Sequence, residues 1–245
     1  MTPPPAAPAP NAAAQTEDFE FAALDQARQY RARLLREFGA DLAGRVLEVG
    51  AGIGQMTAEL RAHPGVREVV AIEPETRFCA RLRARLPDQR VVCGTVADLG
   101  ADAAWDAVLS VNVLEHIADD AAELRAYRDL LAARRGALCL FVPARPEIYA
   151  PIDRDFGHFR RYTRPGLRAR LEAAGFRITR LRYYNFAGYF AWWLNFCVLR
   201  RRRFDLAGVR LFDRAIFPWV HTLETRVLAP PFGQSLLAVA RPDLP

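Results

Sequence analysis

Val46-Leu47-Glu48-Val49-Gly50-Ala51-Gly52-Ile53-Gly54-Gln55 runs an apolar strand straight into a glycine-rich turn and on into a helix. Glycines remove the Cβ atoms that keep a ligand off the backbone, and a helix start presents free N–H donors. A small charged ligand can lie across such a turn, with Gly50, Ala51, Gly52, Gly54 and Gln55 as its floor. The next apolar run ends in Ile72-Glu73-Pro74. That places a carboxylate about 20 residues beyond the glycines, where it can accept from both hydroxyls of a ribose. A glycine turn with a ribose carboxylate points to a nucleoside-containing ligand.

Two ligand classes fit, and the residues separate them. A dinucleotide fingerprint needs GxGxxG to seat a pyrophosphate on the helix start, and here Gln55 stands where that spacing wants glycine. Glu48, just before the turn, would repel a pyrophosphate but suits an ammonium. A cationic sulfonium nucleoside is the better electrostatic match.

Outward from this stretch the chain alternates. Arg45 to Val49, Glu68 to Ile72, Arg90 to Cys93, Ala107 to Val111 and Ala137 to Val142 read as buried strands. Gln55 to Ala62, Glu75 to Leu86 and Asp120 to Ala133 read as helices between them. This order predicts a Rossmann-like, doubly wound, mostly parallel α/β sheet of about seven strands, with ligands at the carboxyl ends of the strands. Before it, Glu20 to Phe38 carries a helical stripe closed by Gly39; after it, Thr163 to Ala174 is a helix opened by Thr163 and closed by Gly175. Phe176 to Tyr184 and Ser235 to Ala240 look like two further strands. If they pair, residues 187–233 form a helical insertion before the last strand, longer than any ordinary hairpin loop.

Composition sets the frame. The 245 residues, 51% hydrophobic and 25% charged, suit one sizeable domain, read as residues 18–245 behind a proline- and alanine-rich disordered tail over residues 1–17. That tail lacks the charged start and apolar run of a secretory signal, so the expected location is cytoplasmic. Cys79, Cys93, Cys139 and Cys197 show no CxxC or His-paired spacing; reduced, buried thiols and no metal site are expected. All 34 basic residues are arginine, and residues 143–226 hold 17 of them against 7 acids. Anionic groups, if bound, would meet that half.

With these residues in order, the chain resembles a class I S-adenosylmethionine-dependent methyltransferase. VLEVGAGIGQ is similar to that family's first motif, and Glu73 to its ribose acid. Ser110-Val111-Asn112-Val113-Leu114-Glu115-His116-Ile117 resembles the NVLEHI stretch of the ubiquinone-biosynthesis-like branch. The resemblance covers roughly Gly44 to Gly175. It implies S-adenosylmethionine as cofactor, with Asn112 and Val113 along its methionine part, Pro74 beside Glu73, and Leu114 to His116 near the reaction centre. Relatives often carry an aspartate where Thr95 stands, so the adenine would fall to Asp98 or to backbone at Val96.

On the acceptor side, Pro143 to Tyr149 leads into Asp153-Arg154-Asp155-Phe156-Gly157-His158-Phe159-Arg160-Arg161-Tyr162-Thr163. The strand end aims this loop at the mouth of the ligand site. Similar GHYRRYT stretches occur in bacterial class I methyltransferases, some associated with lipid or glycan modification. His158 is the first candidate base and His116 the second, because imidazole titrates near neutral pH. Tyr149, Arg160 and Tyr162 are the candidate acceptor contacts. A structural network of Arg160 and Arg161 with Asp153 and Asp155 is the competing reading.

Tyr183 to Leu199 is apolar around its whole circumference and runs into Arg200 to Arg203. At this length it is marginal for a bilayer span. A lid or homodimer contact is favoured over a membrane-surface contact through residues 183–203. The expected function is methyl transfer to a small acceptor, lipid-like or anionic, with no nucleic-acid partner because the basic residues are scattered and (D/N)PP(Y/F) is absent. The alternatives are a nucleotide-dependent oxidoreductase and a non-catalytic, membrane-docked module of the same fold.

Overall fold

Alternation within single strands builds the two cores. In β5 (Ala137–Pro143) the side chains of Leu138, Leu140 and Val142 enter one hydrophobic cluster, while Cys139 and Phe141 enter the other. Successive side chains of a strand point to opposite faces, so a strand apolar at every position needs cover on both. A computed structural model supplies that cover; it describes residues 21–23, 25–99, 104–227 and 230–244. The tail expected over residues 1–17 lies outside the described residues.

The sheet has the order β3-β2-β1-β4-β5-β7-β6. Its strands are β1 (Gly44–Val49), β2 (Val66–Glu73), β3 (Arg90–Cys93), β4 (Ala107–Val111), β5, β6 (Phe176–Tyr184) and β7 (Ser235–Pro242). All neighbours pair in parallel except β7, which runs antiparallel to both β5 and β6. The order reverses between β1 and β4, so their carboxyl ends open the crevice where such sheets bind ligands.

One face is covered by α1 (Arg28–Phe38) and α2 (Gln55–Arg61). Leu34, Leu35, Phe38 and Leu60 pack there against Val46, Leu109 and Phe141. After α3 (Thr76–Arg85), the other face is covered by α4 (Asp120–Ala132) and, beyond the short α5 (Pro151–Asp155), by α6 (Arg164–Ala173), through Leu124, Tyr127, Leu131, Leu167 and Leu171. Thr163 caps α6 by accepting from the Gly166 N–H at 3.1 Å.

Two expectations are corrected. The N-terminal helix is interrupted at Ala27 (φ −95°, ψ 52°). There the Asp213 carboxylate accepts from the N–H groups of Gln29 (3.0 Å) and Tyr30 (2.8 Å), satisfying the donors of a fresh helix start from 184 residues away. Second, Cys79 and Cys93 form a disulfide, with Cα atoms 6.0 Å apart. The first turn of α3 and the end of β3 become neighbours only in the folded sheet. The helical insertion between β6 and β7 holds two stretches: α7 (Phe186–Trp192) continues into a π-helical turn over Trp193–Val198, and α8 (Leu206–Leu211) continues through another over Phe212–Ile216 into α9 (Phe217–Arg226). No helix among the described residues is long and apolar enough to cross a membrane.

Candidate functional site

At the end of β1 the chain turns under tight constraint. Gly50, Gly52 and Gly54 hold φ of 70°, 55° and 82°, in the left-handed region that glycine tolerates. A Cβ on Gly50 would sit 2.4 Å from the Val113 side chain, so the ends of β1 and β4 approach closely only because that atom is missing. The N–H groups of Gly50 and Ala51 both donate to the Ile72 carbonyl, at 2.9 and 3.0 Å, anchoring the turn to β2. Gln55 Nε2 donates to the Phe21 carbonyl at 2.8 Å and so draws the N-terminal segment over the turn.

A cavity of about 520 Å³ opens beside this turn. Of the sequence-selected residues, Glu48, Gly50, Ala51, Gly52, Gln55, Glu73, Pro74, Thr95, Val96, Asn112, Val113 and His116 all line it. Gly54 and Asp98 do not. Gly54 faces Leu82 of α3 and Leu86 just beyond its end, so its missing Cβ serves helix packing. The Asp98 carboxylate is spent on Thr95, accepting from its N–H at 2.7 Å and its hydroxyl at 3.1 Å.

The two carboxylates of this cavity differ. Glu73 Oε2 accepts from the Gly52 N–H at 2.8 Å and Oε1 from the Glu75 N–H at 3.0 Å. Each oxygen keeps a further lone pair for a ligand. Glu48 is buried, and its Oε2 has no hydrogen-bond partner among the described residues. Burial, with Glu73 adding to it against a nearby Thr57 hydroxyl, pushes the Glu48 carboxyl up to about 8. A buried carboxyl lacking a partner on the wall of a cavity is a receptor for a cation. The residues present therefore fit a ligand with an ammonium and a ribose.

A second cavity of about 410 Å³ lies under the insertion and shares Tyr30, Asn112 and Phe156 with the first. His158 lines this one, and its ring stands 4.6 Å from that of His116, centroid to centroid, edge to face. The two histidines thus occupy the partition between the cavities. His158 Nδ1 lies 3.0 Å from Asp153 Oδ1. Asp153 is fully buried and is also held by Arg161 Nε (2.9 Å) and by the Ala150 N–H (2.8 Å). Burial alone would raise the Asp153 carboxyl, but His158, Arg161 and the Ala150 N–H outweigh it and hold it below the ordinary range. Burial, reinforced by His158, pushes His116 down to about 4 against a hydrogen bond with the Phe156 backbone.

None of the three acceptor contacts read from sequence lines either cavity. Tyr149 donates its hydroxyl to the His158 carbonyl at 2.7 Å. Arg160 pairs with Asp120 at 2.8 Å, and the Tyr162 hydroxyl donates to the same carboxylate at 2.9 Å. All three brace the loop that carries His158. The network reading holds for Arg161, which pairs with Asp153; sequence reasoning missed that Asp153 is also the partner of His158, although both stand in the same quoted stretch, with the turn at Gly157 (φ 78°) between them. Glu115, His116 and His158 also bring one donor atom each within 4.8 Å of one another, a group that could hold a metal ion where none was expected.

The insertion closes the second cavity. Trp192 and Phe196 pack on Ile148 and Ile152, the Trp192 indole N–H donates to the Ile148 carbonyl at 3.1 Å, and the Arg161 guanidinium lies 4.4 Å from the Trp192 ring centroid. Arg201 and Arg203 stand on the lining, amid largely apolar walls.

A seven-stranded sheet with one reversed strand, and a glycine-turn cavity at its switch point, define a Rossmann-like enzyme of the methyltransferase type. The methyltransferase-domain family matches residues 22–181, and the chain belongs to it. No protein of curated function matches the sequence. Among solved structures, the fold is similar to a chain of the complex containing the Haloferax volcanii Trm112 methyltransferase activator, with a TM-score of 0.63, 16% identity and 95% of each chain covered. It is also similar to a TehB-like S-adenosylmethionine-dependent methyltransferase of Corynebacterium glutamicum, with a TM-score of 0.57, 16% identity, and 94% of this chain and 98% of that one covered. A Mesorhizobium loti S-adenosylmethionine-dependent methyltransferase gives 0.56 and 18%, covering 84% of this chain and 95% of that one.

Proposed function

We propose that the enzyme methylates a small acceptor with an apolar body and an anionic group, received in the cavity beneath the insertion, and that His158 takes the acceptor's proton. The observation that carries this reading is the pair of cavities meeting at Asn112, Phe156 and the His116–His158 partition. In the first cavity Glu48 meets the cofactor's ammonium, Glu73 its ribose hydroxyls, Asn112 and Val113 its methionine part, and Thr95 with Val96 its adenine. The bound cofactor supplies an electrophilic methyl group.

The chain's own residues align the acceptor and exclude water, which is most of what an in-line displacement requires. Asp153 accepts the Nδ1 proton of His158, fixing the tautomer whose Nε2 carries no proton and stands 3.9 Å from the buried Glu115 carboxylate. His116, held neutral, places no positive charge beside a cationic cofactor. Arg161, Arg201 and Arg203 on the lining favour an anionic group, and the aromatic walls favour an apolar one.

Calorimetric titration with S-adenosylmethionine and S-adenosylhomocysteine, followed by turnover against amphipathic anionic acceptors, tests the reading. Glu73→Ala is expected to weaken cofactor binding by roughly 1–3 kcal/mol, as for a lost charge-assisted hydrogen bond. Unchanged affinity would overturn the ribose assignment.

A further inference from the structure

The large hydrophobic side chains that face water are not scattered. Eleven are exposed among the described residues, and ten of these fall between Phe190 and Val227, all on the insertion. Their spacing follows the helices. Phe190, Trp193, Leu194 and Val198 recur at the third, fourth and eighth positions, opposite buried Trp192 and Phe196. In α9, Trp219, Leu223 and Val227 recur every four residues, opposite buried Phe217, His221 and Glu224. Each helix therefore packs one apolar stripe inward and shows a second outward, where a helix on a water-facing surface is polar.

Charge on the same segment is one-sided. Residues 186–227 carry seven arginines and three acids. All three carboxylates accept backbone N–H groups: Asp205 from Ala207 at 3.1 Å, Asp213 from Gln29 and Tyr30, and Glu224 from Asn185 at 2.9 Å and Phe186 at 3.0 Å. Arg200, Arg214 and Arg226 are exposed on this same segment. An apolar outer face studded with arginine complements a bilayer interface bearing anionic headgroups.

We propose that the outer face of the insertion, from Phe190 to Val227, seats the enzyme on an anionic lipid surface, so that the cavity beneath it takes its acceptor from the membrane. This rests on the reading of that cavity as the acceptor site and extends the docking face well beyond residues 183–203. Trp193 and Trp219 are 47% and 79% exposed, whereas Trp105 and Trp192 are 1% and 7% exposed, so tryptophan emission reports on the docking face selectively.

The test is flotation of the full chain with vesicles of phosphatidylcholine alone and of phosphatidylcholine mixed with phosphatidylglycerol, with emission spectra and cofactor calorimetry on the same samples. Expected are binding to the mixed vesicles only, weakening as salt rises, and a blue shift that Trp219→Phe largely removes while flotation persists. The combined Arg200→Gln, Arg214→Gln and Arg226→Gln variant should lose binding by on the order of a hundredfold, at about 1 kcal/mol per arginine. Trp193→Ser with Trp219→Ser should abolish flotation, while each variant still binds cofactor and so is folded. No flotation of cofactor-competent protein, or flotation that ignores these substitutions, would overturn the proposal and leave the methyl-transfer reading intact. Sedimentation showing a dimer that Trp219→Ser dissociates, with no vesicle binding, would assign the face to a second copy instead.

Discussion

Glu48 is a carboxyl whose charge the cofactor-free fold resists. Its folded value of about 8 lies above the ordinary 4.5, so its protonated form is favoured in the native state. That contribution to stability is complete below the unfolded value and is lost as pH rises through the folded one. The cofactor-free protein is expected to lose stability between about pH 5 and 8, and Glu48→Gln to flatten that slope. Thermal melts across this range check it, and an unchanged slope would remove Glu48 as its source. Asp153 acts through another residue. Asp153→Asn should lower kcat by roughly 10²- to 10⁴-fold and displace the acidic limb of the pH profile, where the base must lose its proton, with cofactor affinity unchanged. Stopped turnover caused by lost cofactor binding would instead point to a collapsed loop. At this scale the glycine turn, Glu48 and Glu73 are legible in sequence because one strand–turn–helix unit displays them within a few residues. Asp153 is not legible as the partner of His158, since Asp, Arg and His in a loop are equally compatible with surface pairs.

Elements follow from local pattern wherever both faces of a strand or one stripe of a helix are buried. β3, β4 and β6 span the residues their apolar runs predict, because Arg90–Cys93, Ala107–Val111 and Phe176–Tyr184 are bounded by turns on both sides. Pattern fails where an element depends on a distant group. The N-terminal helix breaks at Ala27 although its apolar stripe continues, because Asp213 supplies a cap from the insertion. Asp213→Ala should cost about 1–2 kcal/mol, the scale of a lost N-cap, and expose the chain near Ala27 to limited proteolysis. Equal protease resistance would mean the break is held by packing alone. The bond between Cys79 and Cys93 closes a short loop of the sheet edge, with a sequence separation of 14. Cys93→Ser should lower stability by about 3 kcal/mol in the absence of reductant, and by far less in its presence. Titration of free thiols is expected to find two, Cys139 and Cys197; four would restore the reduced reading.

The whole molecule joins two halves that the chain keeps apart. Strands β1 to β5 and their helices build the crevice at the glycine turn, and the insertion between β6 and β7 roofs the adjoining cavity through Trp192, which touches both Ile148 and Arg161. Arg161 holds Asp153, and Asp153 holds His158, so the roof and the candidate base belong to one connected set of contacts. The amino-acid sequence by itself determined the parallel sheet and its switch point, because periodicity and glycine spacing are local properties that any fold of this order must obey. Only the tertiary structure decided which carboxylate orients His158, that Tyr149, Arg160 and Tyr162 brace rather than line the cavity, that two cysteines meet, and which face of the insertion is left to the outside. These are contacts between residues distant in the chain, and a side chain's partner there is set by where the sheet places it.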